Sequence, residues 1–190
     1  MQKATQMTAT KRLVLTAVNI ALCLVLPMAF HSIPNGGKIM LPMHIPVLLC
    51  GMVCGAPYGA VCGLLGPMLS SVLTGMPTAA LMPAMMVECA AYGLTTGLML
   101  RLVRTGKTYA DLYLSLVAAM LVGRLVSGVT KALFFMAGQY TMQAWIAASF
   151  VTALPGIVLQ LAVVPSIVYY LMRAGLILSL IHISEPTRRS

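Results

Sequence analysis

Residues 112–137 read LYLSLVAAMLVGRLVSGVTKALFFMA, an apolar run that carries two cations, Arg124 and Lys131. At about 1.5 Å per residue, such a run as helix is longer than the roughly 30 Å of a hydrocarbon core. The cations stand seven positions apart, close to two helical turns, so both project from one face. A charge at that depth costs at least ~2.5–3.5 kcal/mol on insertion scales, so it faces a cavity, a partner or a ligand. The acid expected at similar depth is Glu88. One cation is left over, and an anionic solute could supply the missing charge.

The rest of the chain has the same character. Of 190 residues, 60% are hydrophobic and 8% charged, and mean hydropathy is +0.96. A soluble domain carries roughly 25% charged residues. Transmembrane strands would alternate apolar and polar side chains, and no such alternation is seen. The sequence therefore predicts an all-α membrane protein, a bundle of six transmembrane helices. The spans expected are 13–30, 43–54, 58–73, 79–102, 112–137 and 145–172, the second too short to cross alone. Pro155 and Pro165 interrupt the last.

Six crossings put both termini on one side. That side holds Lys3, Lys11, Arg12, Arg101, Arg104, Lys107 and Arg173, against Lys38 opposite, which makes it cytoplasmic. Trp145 and Tyr140 then fall at the outer interface. The same rule accounts for most of the net charge of +9, which carries no nucleic-acid signal. Met1–Thr10 reads as a cytoplasmic leader and 11–177 as the membrane domain. Leu178–Ser190 resembles the translation of a transposon-end sequencing adapter and is set aside from functional reasoning.

Several patterns exclude chemistry. Cys23, Cys50, Cys54, Cys62 and Cys89 lie in apolar segments without zinc-ligand spacing, and read as packed, reduced thiols. No His/Cys/Asp cluster has metal-ligand spacing, so no cofactor is expected. There is no Walker A loop, Gly-x-Ser-x-Gly or His-Glu-x-x-His, so an enzyme has nothing to work with. Gly51, Gly55, Gly59 and Gly63 recur every four residues, and Gly93 and Gly97 repeat the spacing. Small residues at that interval let helix backbones approach in lipid. The many prolines break spans, and broken membrane helices line protein-buried cavities.

The charged candidates follow from depth. Counting residues from the span ends sets Glu88 and Lys131 within roughly 5 Å of one level, and Arg124 about 10 Å deeper. The three are either an anion site or a network that ties two helices together. Tyr92, Gln160 and Asn19 are further polar candidates, each also explained by an interhelical hydrogen bond. His44 either caps the short second helix or closes over a ligand.

The stretch PMHIPVLLCG at 42–51, with GAPYGA at 55–60, GPMLSS at 66–71 and TGMP at 74–77, resembles the S components of energy-coupling factor (ECF) vitamin transporters. The likeness covers about residues 11–173. It implies a six-helix protein of the prokaryotic cell membrane that captures one micronutrient from outside. It also implies a transmembrane coupling subunit and two cytoplasmic ATPases as partners. Ala17 and Ala21 match the family's small-residue motif that contacts the coupling subunit. The loop His31–Pro42, with Asn35, resembles its lid over the ligand. The cation surplus favours an acidic vitamin, pantothenate first and folate second. Two other readings compete: a self-sufficient secondary carrier with Glu88 as proton relay, and a membrane scaffold without transport.

Overall fold

The computed structural model describes residues 7–30, 36–103, 105–135 and 141–174. The expectations placed on Asn35, Arg104, Tyr140 and Leu178–Ser190 fall outside those residues. Among the described residues every regular element is a helix. They are α1 (Ala9–Ala29), α2 (Gly36–Met40), α3 (His44–Cys54), α4 (Ala56–Thr74), α5 (Met82–Leu102), α6 (Thr108–Thr130), α7 (Met142–Ile146) and α8 (Leu154–Arg173). A π-helical stretch, Lys131–Phe135, continues α6, and another, Ala147–Thr152, follows α7.

Among the described residues there are eight α-helices, where the sequence predicts six membrane spans. Two of the eight, α2 and α7, are five residues long. The first forms inside the expected outer loop. The second forms because the expected last span breaks at Ala153, with Pro155 then seated in the first turn of α8, where its missing N–H costs nothing. By length and composition four segments could cross a membrane: α1, α4, α6 with its π-helical continuation, and α8. Helix α5 matches α1 in length at 21 residues, but Glu88, Tyr92, Thr95, Thr96 and Arg101 make it more polar.

Helix α3 is the centre of the molecule. All eleven of its residues are buried, beneath α1, α4, α5 and α8. At about 16 Å it is half a bilayer long. It ends at Gly55, whose φ of 99° suits a residue without Cβ. The chain then turns directly into α4. A side chain at Gly55 would meet the Arg101 guanidinium 3.0 Å away, so a cation lies at the negative end of the α3 dipole.

Helix α1 runs antiparallel to α3. Near one end the Cys50 thiol lies 3.6 Å from the Thr16 hydroxyl, and near the other the Cys23 thiol lies 3.7 Å from the Met43 carbonyl. Arg12 therefore shares the Gly55 end with Arg101, while His44 begins the opposite end. The glycine spacing does what close packing requires. A Cβ on Gly59 would sit 2.5 Å from the Gly93 carbonyl oxygen, and one on Gly51 would meet the same atom at 2.5 Å. Helices α3, α4 and α5 thus touch backbone to backbone.

Candidate functional site

At the His44 end of α3 the polar side chains of three helices converge on one carboxylate. Helix α5 supplies Glu88, buried to 4% exposure, and Tyr92 one turn on. Helix α6 supplies Arg124 and Ser127, and the first residue of its π-helical continuation supplies Lys131, at i, i+3 and i+7. Helix α3 supplies His44 from its first turn.

The Glu88 carboxylate is held on both oxygens. Its Oε1 lies 3.5 Å from His44 Nε2 and 3.6 Å from Arg124 Nη1. Its Oε2 accepts from the Ser127 hydroxyl at 2.7 Å and from Lys131 Nζ at 3.3 Å. The His44 ring meets Tyr92 edge to face, with centroids 4.9 Å apart. Tyr92 in turn lies flat over Gly123, where a Cβ would come within 2.8 Å of the ring. Glycine at 123 is thus what lets Tyr92, and through it His44, settle against α6.

The expected Glu88–Lys131 pair is present. Arg124 reaches the same carboxylate, although the residue count set it deeper. The two long side chains take up the rise of two turns between them. The three charges do tie α5 to α6, yet the network leaves groups over. Arg124 Nε and Nη2, both ring nitrogens of His44 and Gln160 Nε2 are buried and have no hydrogen-bond partner among the described residues. A buried unsatisfied donor costs about 1–3 kcal/mol, more when charged, so such groups stand out from an ordinary helix-packing network.

Gln160, at 1% exposure on α8, keeps its amide available. Asn19 does not: its Nδ2 donates to the Leu15 carbonyl at 2.8 Å within its own helix. That bond lies within one helix, where an interhelical one was expected. His44 does not simply cap α3, because its ring is turned to Glu88 and Tyr92. Ala17 and Ala21 are exposed on α1, away from this cluster, amid exposed Leu13, Val14, Val18 and Val25. No group of three or more His, Cys, Asp or Glu that could hold a metal occurs among the described residues, and the five cysteines are buried and free.

Two residues escaped the sequence reading. Ser127 could have been found, since it lies between Arg124 and Lys131 on their common face. Trp145, which the sequence places at the outer interface, has a further role. It is half-buried, and its indole Nε1 donates to the Arg124 carbonyl at 3.1 Å. It fills the notch at Gly128, where a Cβ would collide with the indole.

Residues 11–168 match the family model described as "ECF transporter, substrate-specific component". No curated protein and no solved structure matches the chain. The family is one of transport and binding rather than of catalysis. With the match spanning most of an all-helical chain whose buried charges leave donors open, this protein belongs to the substrate-specific S components of ECF transporters.

Proposed function

We propose that the protein captures an acidic, water-soluble vitamin at the outer face of a prokaryotic cell membrane, with pantothenate the first candidate and folate the second. It hands the vitamin to a module of one transmembrane coupling subunit and two ATPases. The observation that carries the anionic choice is the Arg124 guanidinium, buried against Glu88 with two nitrogens that have no hydrogen-bond partner among the described residues.

Orientation follows from charge. The basic residues Arg12 and Arg101 mark the Gly55 end of α3, and the positive-inside rule makes that end cytoplasmic. The Glu88 cluster is then at the outer end, where a nutrient arrives. Six crossings, with α3 as the short central one and α5 as a span despite its polarity, put both termini in the cytoplasm. Ala17 and Ala21 form the surface for the coupling subunit.

A secondary carrier with Glu88 as its proton relay fits less well. The Glu88 carboxylate is already engaged by two cations and the Ser127 hydroxyl, which ties it into the packing of α5 against α6. A scaffold gives no reason for open donors around a buried cation. The deciding experiment is a thermal-shift screen of purified protein against the water-soluble vitamins. A ligand at ~1,000 times its Kd stabilises by about 4 kcal/mol. Pantothenate should raise Tm, and uptake into proteoliposomes should need the coupling module and ATP. Uptake by this chain alone would establish the carrier instead.

A further inference from the structure

The charges around Glu88 do not cancel. Arg124 and Lys131 bring two positive charges to a single carboxylate. With His44 counted as neutral imidazole, one positive charge is in excess, and Ser127 adds a dipole but no charge. The excess has a location. The Lys131 side chain is 27% exposed and can be reached by water, whereas that of Arg124 is 9% exposed. Lys131 also has the shorter approach to Glu88. The uncompensated charge therefore lies on Arg124.

The geometry of that guanidinium is specific. Nη1 faces Glu88, while Nε and Nη2 make no hydrogen bond of good geometry among the described residues, with the Tyr92 side chain as their polar neighbour. Those two nitrogens form one edge of the planar group, and their N–H bonds leave it in parallel. The spacing suits the two oxygens of a carboxylate. Glu88 holds the opposite side, so the guanidinium is not free to turn.

We infer that the site is a receptor for one carboxylate. Glu88 cancels one of the two cations and so sets the accepted ligand charge at minus one, and the Nε–Nη2 edge of Arg124 grips that carboxylate side-on. The inference rests on the vitamin-binding reading and adds to it the number of charges and the atoms that count them. A neutral ligand would leave the fork buried and unfilled. A dianion would leave the low-dielectric site with net negative charge. Discrimination runs both ways, as specificity requires. Among vitamins the class is monocarboxylates, which separates pantothenate, biotin and nicotinate from folate with its two carboxylates.

The test measures Kd by calorimetry for pantothenate, biotin and nicotinate, each beside its own primary amide, and for folate, riboflavin, thiamine and pyridoxine. One monocarboxylate should bind, about 100-fold or more tighter than its amide, because a site built for a polar group rejects the analogue that lacks it. The acid-to-amide ratio is then followed in variants. Lys131→Met removes the excess charge and should lower the ratio by about tenfold. Glu88→Gln adds a second excess charge and should raise it by a similar factor. Arg124→Lys keeps the charge but loses the fork, and should lower it. Each ratio comes from one sample, so a partly folded variant cannot imitate the pattern. Tight binding of folate or of an uncharged or cationic vitamin overturns the inference and leaves the S-component reading standing, as does a ratio that Lys131→Met and Glu88→Gln shift the same way or not at all. Binding of none of these vitamins refutes the vitamin reading itself, and the inference with it.

Discussion

Arg124 and Gln160 are both buried with donors open, but they differ in what their loss removes. Without Arg124, Glu88 keeps Lys131 and Ser127, so the helices stay tied and the deficit falls on the ligand. Arg124→Ala should weaken an acidic vitamin by about 100-fold or more, as expected for a desolvated charge pair of 2–5 kcal/mol. Gln160→Ala removes a neutral donor and should cost about tenfold or less. Calorimetric Kd values compare the two, and an unaltered Kd for Arg124→Ala would remove the anion site. Glu88→Ala acts on the fold instead. It leaves two cations facing each other without their anion, and should cost about 3–5 kcal/mol, read as a lower Tm in detergent. Arg124, Lys131 and Glu88 were legible in the sequence because a charge inside an apolar run needs a reason. The place of His44 was not. It begins a helix too short to fix its own depth, and only the packing of α3 inside the bundle brings it to Glu88.

At the scale of elements, glycine separates what sequence shows from what it hides. The four-residue spacing of Gly51, Gly55, Gly59 and Gly63, repeated at Gly93 and Gly97, announced close packing, and the structure brings the backbones of Gly51, Gly59 and Gly93 together. It did not reveal α2 or α7. Five residues cannot hold a helix by themselves, and each of these borrows a seat from a neighbour. Helix α2 rests on α8 where a Cβ at Gly156 would lie 2.7 Å from the Ile39 carbonyl oxygen, and α7 docks through Trp145 into the notch at Gly128. Such seats lie far off in sequence and carry no local pattern. They do make firm predictions. Gly93→Ala drives a methyl into the Gly59 backbone of α4, which cannot yield like a side chain, so it should cost about 1–3 kcal/mol by overpacking. Gly37→Ala meets nothing within 4 Å and should be neutral to about 0.5 kcal/mol. Thermal melts of the pair in one detergent test this, and equal losses would mean that α4 and α5 are not in backbone contact. Trp145 offers an optical check, since the chain has one tryptophan. Its indole bonds the Arg124 carbonyl, so ligand binding at Arg124 should shift its emission, and Gly128→Ala should displace the indole and abolish the shift.

At the scale of the whole molecule the proposed function gives the two ends and one flank separate tasks, and substitutions on the flank test that division. Helix α1 turns Thr16, Asn19 and Cys23 inward and leaves Ala17 and Ala21 on the outside. In lipid, apolar burial gives helices little reason to associate, so a face of small residues matters because another backbone can come close to it. Large side chains there would block that approach without touching Glu88, Arg124 or α3. Ala17→Trp and Ala21→Trp should therefore keep the vitamin Kd within about twofold, the usual range for exposed positions. The same variants should no longer co-purify with the coupling subunit and ATPases, and ATP-driven uptake should fall to background. Binding and uptake thus part company in one protein. If uptake survives both substitutions with the module still bound, the coupling subunit docks on another face of the bundle. Loss of vitamin binding would instead mean that α1 is packed more tightly against the site than its exposed alanines indicate.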